Sequence, residues 1–339
     1  MKGSLIALDT WNGAKAAALV VDGRLDDLLM DASSKEPAPG TIFRAIADRV
    51  VKGQGGAFMR LPGGASGFLR QPGALKSGQP VLVQVTGYAE PGKAIPVTAK
   101  LLFKGRHAIL TPGAPGVNLS RSIHDEARRD ALLELVADID LGACGAILRS
   151  GADAAEGDAI LQELDVMLQI ATPILQAATG TTPEHLLDGP DAQQLALRDW
   201  ATPDDLDDEP GAFARHDIIE MIDTCRAHRV DLPGSTTAYI EPTRALVAVD
   251  VNTGPDTSPA AGLKANIACA RDLPRQLRCR GLGGQITIDF APMPKRDRKQ
   301  IEQALRTAFR GDAIETALVG WTPLGHYELQ RKRERLPLF

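Results

Sequence analysis

The sequence lacks the features that mark several specialised classes of protein. None of its four cysteines forms a Cys-x-x-Cys pair, and its six histidines show neither His-x-x-x-His nor His-Glu-x-x-His spacing. Zinc ribbons, thioredoxin-like redox motifs and histidine-ligated metal sites are therefore unsupported. No apolar run reaches the roughly 18–20 residues of a membrane span, and the apolar start breaks at Asp9, too early for a signal-peptide core. We expect a cytoplasmic chain with reduced thiols and no membrane span.

An excess of positive charge is also missing, since 38 basic residues face 43 acidic ones and the formal net charge is −5. Over the whole chain, this balance argues against a polyanionic partner. The acidic residues are concentrated, however, because residues 181–220 alone carry a net charge of −9 and the remainder carries +4. We interpret 181–220 as a solvated, partly mobile linker. The basic remainder leaves a nucleic-acid partner open.

Short strand-like segments with glycine-rich turns follow a predicted boundary at residues 33–40. They span 41–50, 56–60, 66–69, 80–88 and 95–103. This pattern predicts a small β-barrel, with the oligonucleotide/oligosaccharide-binding (OB) fold as the leading candidate. The later sequence alternates strands with helices and predicts an α/β unit in the last third. The expected class is a mixed α+β and α/β chain of several subdomains.

Two apolar strands in the last third each end in an aspartate. One strand precedes Asp250 and the other precedes Asp289. Ligand sites of α/β folds gather at the carboxyl ends of strands, so the two aspartates would share a cleft if their strands were neighbours. Asn252 would lie on the same side of its strand as Asp250. Such oxygen ligands suit Mg²⁺ or Mn²⁺ and metal-assisted phosphodiester hydrolysis. The alternative is that each aspartate only caps a helix or forms a turn.

Basic residues are concentrated around these two segments. They are Arg271, Arg275, Arg278, Arg280, Lys295, Arg296, Arg298, Lys299, Arg331, Lys332, Arg333 and Arg335. A charge run is most often a solvated face. Here the basic side chains accompany candidate metal ligands, which favours a polyanion bound beside the metal.

Several longer motifs occur together in the carboxyl-terminal part of the chain. They are Asp250-Val-Asn-Thr-Gly254, Arg275-Gln-Leu-Arg278, Gly281-Leu-Gly-Gly284, Ile286-Thr-Ile-Asp-Phe290 and Gly325-His-Tyr-Glu328 with Arg331-Lys-Arg333. In these motifs the chain resembles the ribonuclease E/G family of endoribonucleases. The resemblance is strong in 230–333, moderate in 1–150 and weak in 155–225, where the chain is shorter.

The resemblance implies an OB-type RNA-binding barrel inserted in an RNase H-like part, followed by a deoxyribonuclease-I-like α/β catalytic subdomain. The implied segments are 1–36 for the first RNase H-like portion, 37–103 for the barrel, 104–180 for a region like a 5′-end sensor, 181–230 for the acidic linker with the remaining RNase H-like part, and 231–339 for the catalytic subdomain.

The resemblance also implies Mg²⁺-dependent, or Mn²⁺-dependent, cleavage of single-stranded RNA in RNA processing or decay. A metal-activated water would attack and leave 5′-phosphate and 3′-hydroxyl ends. Asp250 and Asp289 match the two metal-holding aspartates, and Asn252 matches the catalytic asparagine beside them.

Two further sets of residues match positions that contact RNA in the family. Phe58 and Phe68 match aromatic residues that stack on single-stranded RNA, and Lys93 matches a basic RNA contact. The alternative for the two phenylalanines is a place in the barrel core. The pocket for a 5′-terminal monophosphate is matched by Gly105, Ile109, Arg149 and Ser150. The alternative for Arg149 is a structural ion pair.

Two departures from the family pattern leave other functions open. Pro292 stands where the family carries an acidic residue near the metal site. The sequence reaches Phe339 without the Cys-Pro-x-Cys zinc-link, so the expectation includes neither zinc nor a zinc-linked oligomer. The alternatives are a non-catalytic RNA-binding protein that uses the barrel, and a Mg²⁺-dependent deoxyribonuclease.

Overall fold

The structure is a computed structural model that describes most of the chain. The described residues are 2–32, 36–51, 53, 55–90 and 92–338. The predicted boundary at 33–40 therefore lies partly outside the described residues, as does Phe339. The chain divides into two compact units, one formed by Met1–Ser33 with Pro203–Phe339 and the other by Ser34–Thr202.

The described residues form twenty strands and seven α-helices. The strands are β1 (Ser4–Trp11), β2 (Ala14–Val21), β3 (Arg24–Met30), β4 (Ile42–Val51), β5 (Gly56–Arg60), β6 (Ser66–Arg70), β7 (Pro80–Val85), β8 (Ile95–Thr98), β9 (Phe103–Lys104), β10 (Ala108–Pro112), β11 (Gly116–Leu119), β12 (Cys144–Leu148), β13 (Glu184–Leu187), β14 (Asp205–Asp207), β15 (Arg229–Leu232), β16 (Thr236–Pro242), β17 (Val247–Asn252), β18 (Gly284–Asp289), β19 (Thr316–Trp321) and β20 (Tyr327–Arg331). The helices are α1 (Glu126–Val136), α2 (Gly157–Gln176), α3 (Ala192–Asp199), α4 (Ala212–Arg215), α5 (Ile218–Arg226), α6 (Pro259–Cys279) and α7 (Arg298–Arg310). None of the helices in the described part of the chain is long and apolar enough to cross a membrane.

A closed five-stranded barrel confirms the barrel prediction. Its strands follow the order β4-β5-β6-β8-β7, and β7 pairs back onto β4. β6 and β8 are parallel, and the other neighbours are antiparallel. This arrangement is consistent with an OB-type barrel. Apolar side chains that alternate along the strands, such as Met59, Leu69 and Val83, fill its interior. The strand predicted over 95–103 is instead two strands, β8 and β9, because the backbone N–H of Lys100 turns back to the Thr98 hydroxyl.

A second sheet in the same unit follows the order β11-β12-β10-β9. Helices α1 and α2 pack on it through a core that includes Leu110, Leu132, Leu148 and Leu164. The apolar stripe of α2, which includes Ile160 and Met167, is thus the face by which this helix covers the sheet.

The prediction of a solvated linker over 181–220 was wrong. Within it, β13 pairs with β4, and β14 pairs with β1. Several of its acidic side chains have hydrogen-bond or ion-pair partners. Asp191 caps α3 in a capping box, Asp204 accepts hydrogen bonds from Ser4, and Asp207 pairs with Arg215 and His216. Because these carboxylates have partners, the negative charge does not prevent the segment from packing.

The unit that includes the chain's first strands holds two sheets. The smaller follows the order β14-β1-β2-β3 and packs on α4 and α5. The larger follows the order β15-β16-β17-β18-β20-β19, and only β17 and β18 among its described neighbours are parallel. α6 connects these two strands. One face of this sheet packs on α6 and α7 through residues such as Val249, Ile288, Leu273 and Leu305. On each strand, the side chains that alternate with these buried residues point to the opposite, open face of the sheet, where they can contact a ligand.

Candidate active site

Two aspartates lie side by side near the carboxyl ends of β17 and β18. Asp250 and Asp289 are direct register partners in the parallel pairing of these strands. Both are exposed, while the preceding residues Val249 and Ile288 are buried in the core. Adjacent strands are about 4.8 Å apart. Two carboxylates on the same face at that spacing can therefore bind one cation between them.

Asn252 fixes the orientation of one of these carboxylates. Its side-chain Nδ2 donates a hydrogen bond of 2.8 Å to Asp250 Oδ2. Among the hydrogen bonds of the described residues, neither Asp250 nor Asp289 accepts from a backbone N–H. The helix that follows β17 is capped instead by Ser258, which accepts from the Ala261 N–H. The helix-cap alternative therefore does not describe Asp250.

Two further side chains extend this row across the open face of the sheet. Tyr239 of β16 is the register partner of Asp250 and is 38% exposed. His326, just before β20, places Nε2 3.9 Å from Asp289 Oδ1. No role was predicted for either residue from the sequence. The Gly325-His-Tyr-Glu328 motif could have pointed to His326. The alternation of buried and exposed side chains along β16 could have pointed to Tyr239.

A buried asparagine positions the segment that follows Asp289. Asn266 of α6 is fully buried, and its Nδ2 donates to the Ala291 carbonyl at 2.9 Å. The Ala291 N–H donates in return to Asn266 Oδ1 at 2.9 Å. The Pro292 carbonyl lies against Gly262, where an added Cβ would collide with it. These contacts fix the backbone next to Asp289, and Pro292 itself is exposed.

The donor set fits Mg²⁺ better than a metal that needs a complete protein cage. Asp250 and Asp289 offer hard carboxylate oxygens, and Asn252 adds an amide beside them. No cluster of three or more histidine, cysteine, aspartate or glutamate residues suited to a metal ion occurs in the described ranges. Mg²⁺ is commonly held by one or two carboxylates and keeps its other positions for water and phosphate. The open face of the sheet leaves room for both.

Many of the basic residues expected to attract a polyanion are bonded to carboxylates within the protein. The pairs are Arg275–Asp272, Arg278–Asp312, Arg331–Asp312, Arg335–Asp27 and Lys332–Glu315. Arg280 is also buried, and it hydrogen bonds to Gln276 and to the Ala227 carbonyl. For the arginines among these residues the prediction was wrong, because their guanidinium groups are engaged within the protein. Lys295, Arg296 and Lys299, at the start of α7, are exposed.

Phe58 of β5 and Phe68 of β6 lie outside the barrel core. They are cross-strand partners, with ring centroids 5.4 Å apart in an edge-to-face arrangement. Met59 and Leu69 point into the barrel, while both phenylalanines are half-buried. The Phe68 ring lies over Gly56, where an added Cβ would collide with it. The barrel-core alternative is therefore wrong for both rings.

One basic side chain lies beside these rings, and a second candidate for RNA contact lies elsewhere in the barrel unit. The guanidinium of Arg49 lies 5.4 Å from the centre of the Phe58 ring. Lys93, in the connection between β7 and β8, has a largely exposed side chain whose Nζ lies 2.7 Å from the Glu90 carboxylate. Aromatic rings beside basic groups are typical of surfaces that bind single-stranded nucleic acid.

Arg149 forms an ion pair, which was the alternative to a phosphate contact for this residue. Its Nη2 lies 2.9 Å from Asp199 Oδ1, and its Nη1 donates to the Gly105 carbonyl. Burial raises the pKa of Asp199, but hydrogen bonds and charges from Arg198 and Arg149 outweigh it and hold that pKa below its usual value. Ile109 lies on β10, and Ser150 is exposed in the turn after β12.

Comparison with known proteins gives one consistent result. The Ribonuclease E/G family model matches residues 103–208 and 205–334. Ribonuclease E of Nostoc sp. (strain PCC 7120) is 31% identical over 296 residues, which cover 76% of this chain and 43% of that protein. Ribonuclease E of Synechocystis sp. (strain PCC 6803) is 26% identical over 96% of this chain and 56% of its own length. Ribonuclease G of Salmonella typhimurium is 24% identical over 94% of this chain and 77% of its own length. The chain thus spans about half the length of the two ribonucleases E.

Proposed function

Since this chain belongs to the ribonuclease E/G family, we propose that it is an endoribonuclease that hydrolyses single-stranded RNA with Mg²⁺. The products carry 5′-phosphate and 3′-hydroxyl ends. The observation that carries this proposal is the register pairing of two exposed aspartates, Asp250 and Asp289, at the ends of parallel strands. When bound there, Mg²⁺ supplies an acidified water and neutralises charge on the scissile phosphate. Mn²⁺ has the same ligand preferences and is expected to substitute.

The protein's own groups prepare that site. Asp250 and Asp289 supply the two carboxylates, and Asn252 holds Asp250 in one orientation through its 2.8 Å hydrogen bond. His326 is within reach of the same phosphate, because it lies beside Asp289. The exposed Lys295 and Arg296 add positive charge to this unit. Such charge attracts RNA in a salt-dependent way.

The barrel supplies the binding surface in this proposal. Phe58 and Phe68 stack on RNA bases, and Lys93 contacts the backbone. The half-exposed rings support this role, because a buried ring could not stack on a base. Gly105, Ile109, Arg149 and Ser150 form the pocket that the family uses for a 5′-terminal phosphate.

The remaining assignments are part of the same proposal. The sheet that holds β17 and β18 corresponds to the deoxyribonuclease-I-like catalytic subdomain, and β1–β3 with β14 correspond to the RNase H-like part. We place the protein in the cytoplasm and assign it to RNA processing or decay. All four cysteines are free thiols, which agrees with a reducing compartment.

The test compares cleavage of a single-stranded RNA with Mg²⁺ and with EDTA, for the wild type and for Asp250→Asn and Asp289→Asn. We expect fragments only with Mg²⁺, and a loss of at least about 100-fold in either variant. Asp231→Asn is the matched control, because Asp231 is an exposed aspartate of the same sheet. Parental rates in either active-site variant would contradict the assignment.

The same experiment separates the other candidate functions. Pro292 favours an RNA-binding protein without activity, for which a gel shift without fragments is the expected outcome. A deoxyribonuclease would cleave a DNA oligonucleotide of the same sequence as fast as the RNA. The paired aspartates favour the nuclease over the binding protein.

A further inference from the structure

Tyr239 lies directly beside the paired aspartates on the open face of the larger sheet. It is the register partner of Asp250 in the antiparallel pairing of β16 with β17. Directly opposed residues of such a pair have Cα atoms about 4.5–5.5 Å apart. The neighbours of Tyr239 along β16, Ala238 and Ile240, are buried in the core, so alternation turns the ring to the face that carries the carboxylates. An aromatic ring therefore borders the candidate metal site.

The ring of Tyr239 is available to a ligand. It is exposed, and within the described ranges its hydroxyl forms no hydrogen bond and no other ring or guanidinium stacks on it. Arg229, its register partner on β15, pairs instead with Asp231 on its own strand, with Nη2 2.9 Å from Oδ1. Trp321 of β19, by contrast, is covered by the guanidinium of Arg298, which lies 4.3 Å from the ring centre.

We propose that Tyr239 stacks on the base of a nucleotide next to the scissile phosphate, so that the enzyme requires an unpaired base at the bond it cleaves. This inference rests on the proposed function, because it takes RNA bound at Asp250 and Asp289 as the ligand. The base and the phosphate of a nucleotide are joined through one sugar. A scissile phosphate at the two aspartates would therefore bring one of its two flanking bases to the ring.

The neighbours of Tyr239 leave room for that base. Thr237 and Glu241 flank the ring along the same face of β16. The two diagonal neighbours on β17 are Ala248, which is small, and Asn252, which is hydrogen bonded to Asp250. A single-stranded base can enter such a place and stack on an aromatic side chain, whereas a base within a duplex is already paired and stacked.

The charge of this face also favours stacking as the mode of binding. Glu241, Asp250 and Asp289 are exposed on it, and the guanidinium of Arg229 is already paired. These carboxylates repel the RNA backbone, so charge does not attract RNA to this side of the site. Stacking on Tyr239 needs no charge and tolerates every base, because each base has a π face. We therefore expect a requirement for a base and not for a particular one.

The test measures kcat/KM for an RNA oligonucleotide with one mapped cleavage site. Two further versions each lack the base, but keep the sugar and phosphate, at one of the nucleotides that flank the cleaved bond. We expect wild type to lose about tenfold or more when the stacked base is removed, and little when the other is removed. Tyr239→Leu should cleave the intact RNA slower by a similar factor and lose nothing further when the stacked base is removed. A merely structural role of the ring would not produce this non-additivity.

Tyr239→Phe is the matched variant, because it keeps the ring and removes only the hydroxyl. It should behave like wild type with all three RNAs. Glu241→Gln changes another exposed residue on the same face of β16, and it should lose activity only where wild type does. Tyr239→Leu should unfold at the wild-type Tm, since the side chain that it replaces is exposed.

Parental kcat/KM in a folded Tyr239→Leu variant would overturn the proposal, and so would additive losses from the side chain and the base. Fluorescence anisotropy with a short RNA in EDTA gives a second readout that does not depend on cleavage. Tyr239→Leu should bind that RNA more weakly than Tyr239→Phe, and equal affinities would also contradict the proposal. Failure of the nuclease assignment appears separately, as parental cleavage by Asp250→Asn or Asp289→Asn.

Discussion

Arg331 and Asp312 form an ion pair in which neither side chain is exposed to solvent, with Nη2 3.1 Å from Oδ1. Asp312 also lies 2.9 Å from Nη1 of the half-buried Arg278, so two guanidinium groups share this carboxylate. Arg331 belongs to a basic run that the sequence suggested for RNA contact. Arg331 is the last residue of β20 and its side chain is buried, so it is a structural residue instead.

Removing the shared carboxylate should strongly destabilise the protein. Asp312→Asn leaves Arg331 buried without a carboxylate partner, while Arg278 keeps its pair with Asp26. We expect a loss of about 3–5 kcal/mol in the free energy of unfolding. Urea denaturation measures it. Glu315→Gln breaks the exposed pair with Lys332 and should cost less than about 1 kcal/mol. Similar losses in the two variants would show that burial does not set the strength of these pairs.

Asn252→Ala should reduce activity without affecting stability. The substitution removes the hydrogen bond that orients Asp250, and groups of this kind typically contribute 10-fold to 100-fold, so we expect kcat to fall by about that factor. The Mg²⁺ concentration for half-maximal rate should rise. Titration of the cleavage rate with Mg²⁺ checks both effects. An unchanged titration curve would mean that Asp250 needs no support from Asn252.

Asn266→Leu should displace the segment that follows Asp289. The side chain of Asn266 both donates to and accepts from Ala291, and leucine leaves those backbone groups unpaired. We expect a loss of about 1–3 kcal/mol in stability. We also expect kcat to fall while KM for RNA stays near the parental value, because RNA binding does not use Asn266. A variant with full kcat would show that the position of Ala291 is unimportant for Asp289.

Phe58→Ala and Phe68→Ala should each weaken RNA binding by about 1–3 kcal/mol, the usual contribution of one stacked base. Phe58→Trp is the matched replacement and should retain affinity, since it keeps an aromatic ring. Met59→Ala, in the barrel core, should instead cost about 2–5 kcal/mol of stability. Anisotropy with a fluorescent RNA and thermal unfolding separate these effects. Unchanged affinity in both phenylalanine variants would exclude stacking at this surface.

A pair of thiols makes stability depend on pH. The hydrogen bond with Cys279 and then the charge of Arg280 lower the pKa of Cys225 to about 6, against the effect of burial. A pKa below the unfolded value of about 8.5 stabilises the folded state at high pH, and this contribution is lost as pH falls through about 6. Wild type should therefore be more stable than Cys225→Ser at pH 8.5, and this difference in the free energy of unfolding should shrink when the pH is lowered to 5.5.

Urea denaturation under reducing conditions at the two pH values measures this difference. Cys269→Ser is the control, because burial raises the pKa of Cys269 to about 12 and keeps that thiol neutral at both pH values. A pH-independent effect of Cys225→Ser would show that Cys225 stays protonated in the folded protein.

Sequence reasoning located the features that depend on local patterns. Apolar runs that end in Asp250 and Asp289 predicted two strand ends, and turn spacing predicted the barrel. The alternation of side chains along β5 could also have predicted that Phe58 lies outside the core. Its neighbours Ala57 and Met59 are buried in the barrel, and adjacent side chains of a strand face opposite sides. What local patterns could not show is pairing over long distances. Arg335 pairs with Asp27, which is 308 residues away, and Glu163 reaches amides more than 50 residues earlier.

The parallel register of β17 and β18 limits how this site can change. Successive side chains of a strand face opposite sides of the sheet. An insertion of one residue within β18 would turn Asp289 toward the helices and bring an apolar neighbour, such as Ile288, to the open face. The register of a strand cannot shift by less than one residue, because strand pairing has a fixed spacing. Insertions and deletions in β18 can thus abolish the partnership with Asp250 in a single event, but they cannot adjust it gradually.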